Sequence, residues 1–148
     1  MSRITTTIRI NRPIEEVFAY VTTPEHWLEW HPSSVSITGA TDHPLHVSET
    51  VGEEFVVAGR HGRVEWTVIE RDAPRRWVIS GHVEHAGGGR IAYSLVAADH
   101  GTQFTRQFTY QMDNWILALL DRLLIRRRID EESTKALDQL KSNLEAST

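Results

Sequence analysis

The sequence predicts an α+β fold: an antiparallel sheet of six to seven strands, one long C-terminal helix packed against it, and two short helices after the first strand. Three observations carry this expectation. Between residues 51 and 111 apolar residues recur with a period of two, in runs joined by turn-forming residues. After Asp113-Asn114 the period lengthens to that of a helix and persists to Glu145. Between residues 11 and 32, two capping signals each introduce a brief helical pattern.

The first strand is read over residues 3–10, with Ile4, Ile8 and Ile10 on one face and Thr5, Thr7 and Arg9 on the other. Asn11-Arg12-Pro13 reads as a helix start, with Asn11 the candidate cap. Glu15 and Glu16 suit the positive end of the helix dipole, and Val17, Phe18 and Val21 form the apolar stripe. Thr23-Pro24-Glu25 reads as a second cap, opening a short helix through Trp30 that Pro32 ends. Residues 35–38 are a candidate strand and residues 39–50 a loop. The period-two runs then cover 51–59, 63–71, 76–84, 90–98 and 103–111. Their connectors, including Gly87-Gly88-Gly89 as a hairpin turn, are short enough to permit only antiparallel neighbours. The last pattern, capped by Asp113 or Asn114, spans about 30 residues, or ~45 Å if unbroken. A helix of that length needs a large partner, and the sheet is the one on offer.

The chain has 148 residues, which suits a single domain over 1–148. Its 40% hydrophobic and 24% charged residues are those of a globular protein. It contains no cysteine, which excludes thiol nucleophiles, cysteine zinc sites and disulfide scaffolds, and fits a reducing compartment. The net charge of −4 gives no footprint for nucleic acid. The one basic cluster, Arg126-Arg127-Arg128, is followed at once by Asp130-Glu131-Glu132 and reads as a solvated helix face. The apolar run Trp115 to Leu120 is too short to span a bilayer, and the first residues carry no apolar leader pattern, so a cytoplasmic location is expected. Nothing in the sequence sets an oligomeric state.

The order of these elements resembles the helix-grip superfamily, which includes START-like domains, birch-pollen-type allergens and polyketide cyclase/dehydrase-like (SRPBCC) proteins. The resemblance covers the whole chain. It is carried by residues 8–13 with Val17-Phe18, Trp27, Trp30-His31-Pro32, Val51-Gly52, residues 70–76, Gly101-Thr102, and Leu137, Leu140, Lys141, Leu144 and Glu145. It implies a curved sheet wrapped around the long helix, with a solvent-connected cavity between them that receives an apolar or aromatic small molecule.

Parity assigns candidate cavity residues. Phe104, Arg106, Phe108 and Tyr110 share one face of the last strand, and because that face is the apolar one, Arg106 points inward with them. An inward guanidinium is an anchor for a ligand carboxylate, enolate or phenolate, half of an internal pair with Glu65 or another inward acid, or a group reaching the cavity mouth. Trp66 shares a face with Val64 and Val68, and Tyr93 with Ile91 and Leu95. The hydroxyls of Tyr93 and Tyr110 are candidate hydrogen-bond donors or general acids. By the family's layout, Trp27, Trp30 and His31 border the cavity. Trp115, Leu119 and Leu123 are the candidate helical wall.

No metal or cofactor is expected. The pairs His43/His46 and His82/His85 have a spacing that points the two rings of a strand to opposite faces, and neither has a convincing third ligand. No nucleophile elbow or phosphate-binding loop occurs. The expected function is binding of a lipid or polyketide-like molecule by Trp30, Trp66, Tyr93, Arg106, Phe108, Tyr110, Trp115, Leu119 and Leu123. The alternative is a cyclase, aromatase or dehydratase-type enzyme using Arg106, Tyr93 and His82, and a His or carboxylate within hydrogen-bond reach of Arg106 would favour it.

Overall fold

A computed structural model describes residues 1–57, 59–83 and 86–146. The strands are β1 (Ser2–Ile10), β2 (Ser34–Gly39), β3 (Thr50–Val57), β4 (Arg60–Asp72), β5 (Arg76–Val83), β6 (Gly87–Ala98) and β7 (Gly101–Met112). They form one seven-stranded antiparallel sheet in the order β1-β7-β6-β5-β4-β3-β2. Only the pairing of β1 with β7 departs from a simple meander. Register shifts at Ser34/Ser36 and at Val68/Glu70 insert bulges that curve the sheet. The predicted strand positions Ala58 and Glu84 lie outside the described residues, as does His85 of the second histidine pair.

The short helices are α1 (Ile14–Thr22) and α2 (Trp27–Trp30), with a 3₁₀ turn over Pro24–His26 leading into α2. The helix start differs in detail from the expectation. Pro13 is the N-cap of α1, with φ −60°, and no side chain caps it. The Asn11 side chain is not used. Its backbone N–H donates to Glu145 Oε2 at 2.8 Å, tying the chain after β1 to the end of the last helix. Thr23 also does not cap, because its hydroxyl donates back to Ala19 O at 2.7 Å.

The C-terminal helix is continuous from Trp115 to Ala146, but it is not uniform. It runs as α3 (Trp115–Leu120), a π-helical turn over Asp121–Ile125, and α4 (Arg126–Ala146). Of the two candidate caps, Asn114 serves, its Oδ1 accepting the Leu117 N–H at 2.8 Å. The back of this helix is tightly held. Ala136, Leu137, Leu140 and Leu144 are buried against Ile10, Val17, Phe18, Val21 and the sheet. The front is not, and the space between it and the sheet is open.

Gly87-Gly88-Gly89, expected as a turn, is the start of β6. Gly87 pairs with Met112 and Gly89 with Gly81 and Tyr110. Gly87 has φ +150°, and a Cβ there would lie 1.8 Å from Gln111 O, so only glycine lets β6 and β7 pair this far. Residues 60–62, also expected as connector, likewise continue as strand and pair with β3.

Candidate functional site

Sheet and helix enclose a cavity of about 410 Å³, within the range that takes a small organic ligand. Its volume comes from missing side chains. Gly62, Gly81 and Gly89 line it, and Gly81 faces Gly89 across β5 and β6, between Trp66 on β4 and Tyr110 on β7. Aromatic rings occupy part of the vacated space: a Cβ on Gly62 would lie 2.4 Å from the Phe55 ring, and one on Gly89 would lie 3.0 Å from that of Phe108. The remainder stays open toward Val57, Arg60 and His61 on one side and Leu117, Ile125 and Ile129 of the helix on the other.

The walls are mostly apolar, and the polar groups converge around one guanidinium. Arg106 projects inward from β7 and is 4% exposed. Its Nη1 donates to Ser133 Oγ on α4 at 3.1 Å, and its Nη2 donates to His31 Nε2 at 3.1 Å. A guanidinium has only donors, so Nε2 is the acceptor. The imidazole proton therefore sits on Nδ1 and is donated to Ser33 Oγ at 2.8 Å. Burial, reinforced by the Arg106 charge, pushes His31 down to about 3, so the ring is neutral near neutral pH. Arg106 Nε is buried and has no hydrogen-bond partner among the described residues.

A second polar group closes the same end. Glu53 on β3 lines the cavity, and its Oε1 accepts the Trp66 indole N–H at 2.9 Å. Burial raises its pKa above the usual carboxylate value, opposed by the Trp66 hydrogen bond and the Arg106 charge. Among the described residues, no carboxylate lies within ion-pair distance of Arg106. Glu65 is exposed on the other face of β4 and is not its partner. Tyr93 completes the group. Burial pushes its hydroxyl up to about 12, with the Arg106 charge acting the other way, so it is a proton donor. Its ring is fixed by Trp77, stacked at 5.3 Å, and by Phe104 at 5.0 Å.

Of the residues singled out in the sequence, Trp27, His31, Trp66, Tyr93, Arg106, Phe108 and Tyr110 line this cavity. The Tyr110 hydroxyl is already engaged, donating to Asp121 Oδ1 at 2.5 Å. Trp30 does not line it. That ring is fully buried behind the wall, against Tyr93 and His31. His82 is turned to the outer face of β5, where Nε2 stands 3.4 Å from Asp113 Oδ2, because its neighbours Gly81 and Val83 take the inward parity. Trp115, Leu119 and Leu123 are exposed to solvent, and Leu117, Ile125 and Ile129 form the helical wall instead. Glu53 and Ser133 are additions. Both carried a readable signal: Glu53 shares a parity with Val51, Phe55 and Val57, and Ser133 lies on the helical stripe of Ile129, Leu137 and Leu140. Among the described residues, no group of three or more His, Asp or Glu could hold a metal ion.

The chain matches the model of a family described as polyketide cyclase/dehydrase and lipid transport, over residues 1–145. It belongs to that family. Comparison with curated protein sequences gives no significant match. Among solved structures it is similar to TTHA0849 from Thermus thermophilus, with a TM-score of 0.83 and 16% identity over 99% of both chains. It is also similar to Ara h 8.0201, with a TM-score of 0.71 and 14% identity over 99% of both chains. A third is DynU16, a protein of the dynemicin biosynthetic locus, with a TM-score of 0.69 and 12% identity over 98% of this chain and 48% of that one. These likenesses establish the helix-grip fold, with its curved sheet and long C-terminal helix.

Proposed function

We propose that the protein binds a largely apolar or aromatic small molecule, of lipid or polyketide-like character, in this cavity, with a carboxylate, enolate, phenolate or carbonyl oxygen held at Arg106. The observation that carries the reading is a permanently charged guanidinium, buried in an apolar chamber, whose hydrogen-bonding neighbours Ser133, His31 and Tyr93 are all neutral. A buried cation without a counter-ion is costly, and an anionic or strongly polarised ligand oxygen relieves that cost. The rings of Trp66, Phe108 and Tyr93 supply the apolar contact. Membership of the family supports the ligand class. Nucleic acid has no place in this reading of a chain with net charge −4. A cytoplasmic location is proposed on the cysteine-free composition, and cell fractionation tests it.

Native mass spectrometry of the purified protein, followed by thermal shift against fatty acids, sterols and aromatic polyketides, tests the proposal. The expected result is a bound mass or a stabilising shift that Arg106→Met removes. No bound mass and no shift with any of these compounds would rule it out.

A second reading, a cyclase, aromatase or dehydratase-type enzyme, is favoured by the convergence of Glu53 and His31 on Arg106. The Glu53 carboxylate, made more basic by burial, would take the α-proton while Arg106 stabilises the enolate oxygen, and would then return that proton to the departing β-hydroxyl, which leaves as water as the carbon–carbon double bond forms. His31 is not a free base while Nε2 accepts from Arg106. Product analysis by mass spectrometry separates the readings: loss of water from a bound β-hydroxy ketone, abolished in Glu53→Gln, supports the enzyme. An unchanged ligand leaves binding alone.

A further inference from the structure

Among the described residues, the outer face of the helix front is a run of exposed apolar side chains without a partner. Trp115, Ile116, Leu119, Leu120, Leu123 and Leu124 lie side by side on α3 and the π turn and are between 37% and 75% exposed. A contiguous patch of this kind on a surface helix marks an interaction site. It cannot be a membrane span, since no helix among the described residues is long and apolar enough.

We propose that this face docks on an anionic lipid bilayer, with the helix lying in the interface. Its charge pattern points to that occupant. Arg122 lies within the apolar stretch, and Arg126, Arg127 and Arg128 follow it directly, all exposed. Between Trp115 and Ile129 the one acid is Asp121, and it is buried, accepting from Ser2 Oγ and Tyr110 OH at 2.5 Å each. The outward surface of the segment therefore presents apolar and cationic groups alone. Arg127 is drawn toward Glu131 at 3.3 Å and Arg128 is near Glu132, while Arg122 and Arg126 face no carboxylate within ion-pair distance among the described residues. An indole at one end, leucines along the face and guanidinia at the other end are the composition of an interfacial helix that meets lipid phosphates. The inner face of the same segment, through Leu117 and Ile125, closes the cavity, so docking would bring the cavity wall to the bilayer surface. Docking itself needs no cavity ligand, and its test is independent of one.

Sedimentation of the full chain with vesicles tests this, comparing pure phosphatidylcholine with vesicles holding roughly 30% phosphatidylglycerol. Binding to the anionic vesicles is expected, weakening steeply as salt rises from about 50 to about 500 mM. Trp115 provides a direct reporter, because the other four tryptophans are buried, and doxyl-labelled lipid should quench its emission. Leu119→Glu with Leu123→Glu should reduce vesicle binding on the order of tenfold or more. Both positions are exposed, so the circular dichroism spectrum should not change. Arg122→Glu with Arg126→Glu should remove the preference for anionic lipid. No sedimentation with either vesicle overturns the proposal, and so does equal, salt-independent binding to both. Light scattering that shows a dimer converted to monomer by the leucine changes, without vesicle binding, assigns the face to a second copy and overturns it as well.

Discussion

Arg106 is held at a cost that its own hydrogen bonds do little more than offset. The bonds to Ser133 and His31, made by a charged donor, contribute about 1.5–3 kcal/mol each. The penalty of a buried cation without a paired carboxylate is several kcal/mol. Arg106→Met, similar in length and apolar, is therefore expected to leave the melting temperature unchanged or raised while weakening ligand affinity at least tenfold, about 1.4 kcal/mol. Paired thermal melts and ligand titrations check this, and a variant that loses stability but keeps affinity would contradict it. His31 gives a second expectation. Its folded pKa, about 3, lies below the unfolded value of 6.5, so the unfolded chain binds the extra proton first. The stability from a neutral His31 is thus complete above about pH 6.5 and lost as pH falls toward 3. Its half-buried ring limits the effect to about 2 kcal/mol. Glu53, with a raised pKa, acts in the opposite sense, so the wild type should be compared with His31→Gln across the range. If the two denaturation curves keep a constant separation with pH, the buried neutral histidine is not the cause. Residue by residue, the sequence was informative where alternation was strict. Arg106 is legible because Phe104, Phe108 and Tyr110 define its face. His82 is not, because Gly81 beside it carries no side chain to mark the inward parity.

At the scale of elements, glycines and one aspartate set the shape of the chamber. Gly81 and Gly89 look alike in sequence but differ in surroundings. A Cβ on Gly81 would meet Glu65 O at 2.9 Å and Val64 Cγ2 at 2.7 Å, whereas one on Gly89 meets only ring atoms, the nearest at 3.0 Å. Gly81→Ala is expected to cost about 1–3 kcal/mol by forcing the backbone, and Gly89→Ala less than about 1 kcal/mol. Urea denaturation of both variants checks the order. Gly89→Leu should fold and exclude ligand. Asp121 fastens the π turn to β1 and β7 through Ser2 and Tyr110. Asp121→Ala strands both hydroxyls and should cost about 2 kcal/mol, read as a lowered urea midpoint. The elements themselves were legible, since period and turn residues located every strand to within a few residues. The inward face of the helix front was not. Trp115, Ile116, Leu119, Leu120, Leu123 and Leu124 together with Leu117 and Ile125 make that stretch apolar nearly all round, so no stripe distinguishes inside from outside. The π turn then adds a residue and shifts the phase relative to α4.

The whole molecule is built with one closed end and one open end. At the closed end, Leu137, Leu140 and Leu144 of α4 meet α1, α2 and the sheet in a continuous core with Trp27, Trp77 and Phe104. At the open end, the helix front touches the body through little more than Leu117, Asp121, Ile125 and Ile129, with the cavity beneath it. Local opening follows buried contact, so one continuous helix should show two stabilities. Amides of residues 119–128 are expected to exchange on the order of 100-fold faster than those of 136–144, although both stretches are helical. On the proposed ligand-binding reading, such opening would give a ligand its way in without unfolding the core, and a ligand bridging Arg106 to the apolar wall should slow exchange in the front half alone. Hydrogen exchange read by mass spectrometry, with and without ligand, separates the halves directly. Uniform protection along Trp115–Ala146 would show that the front is anchored as firmly as the back.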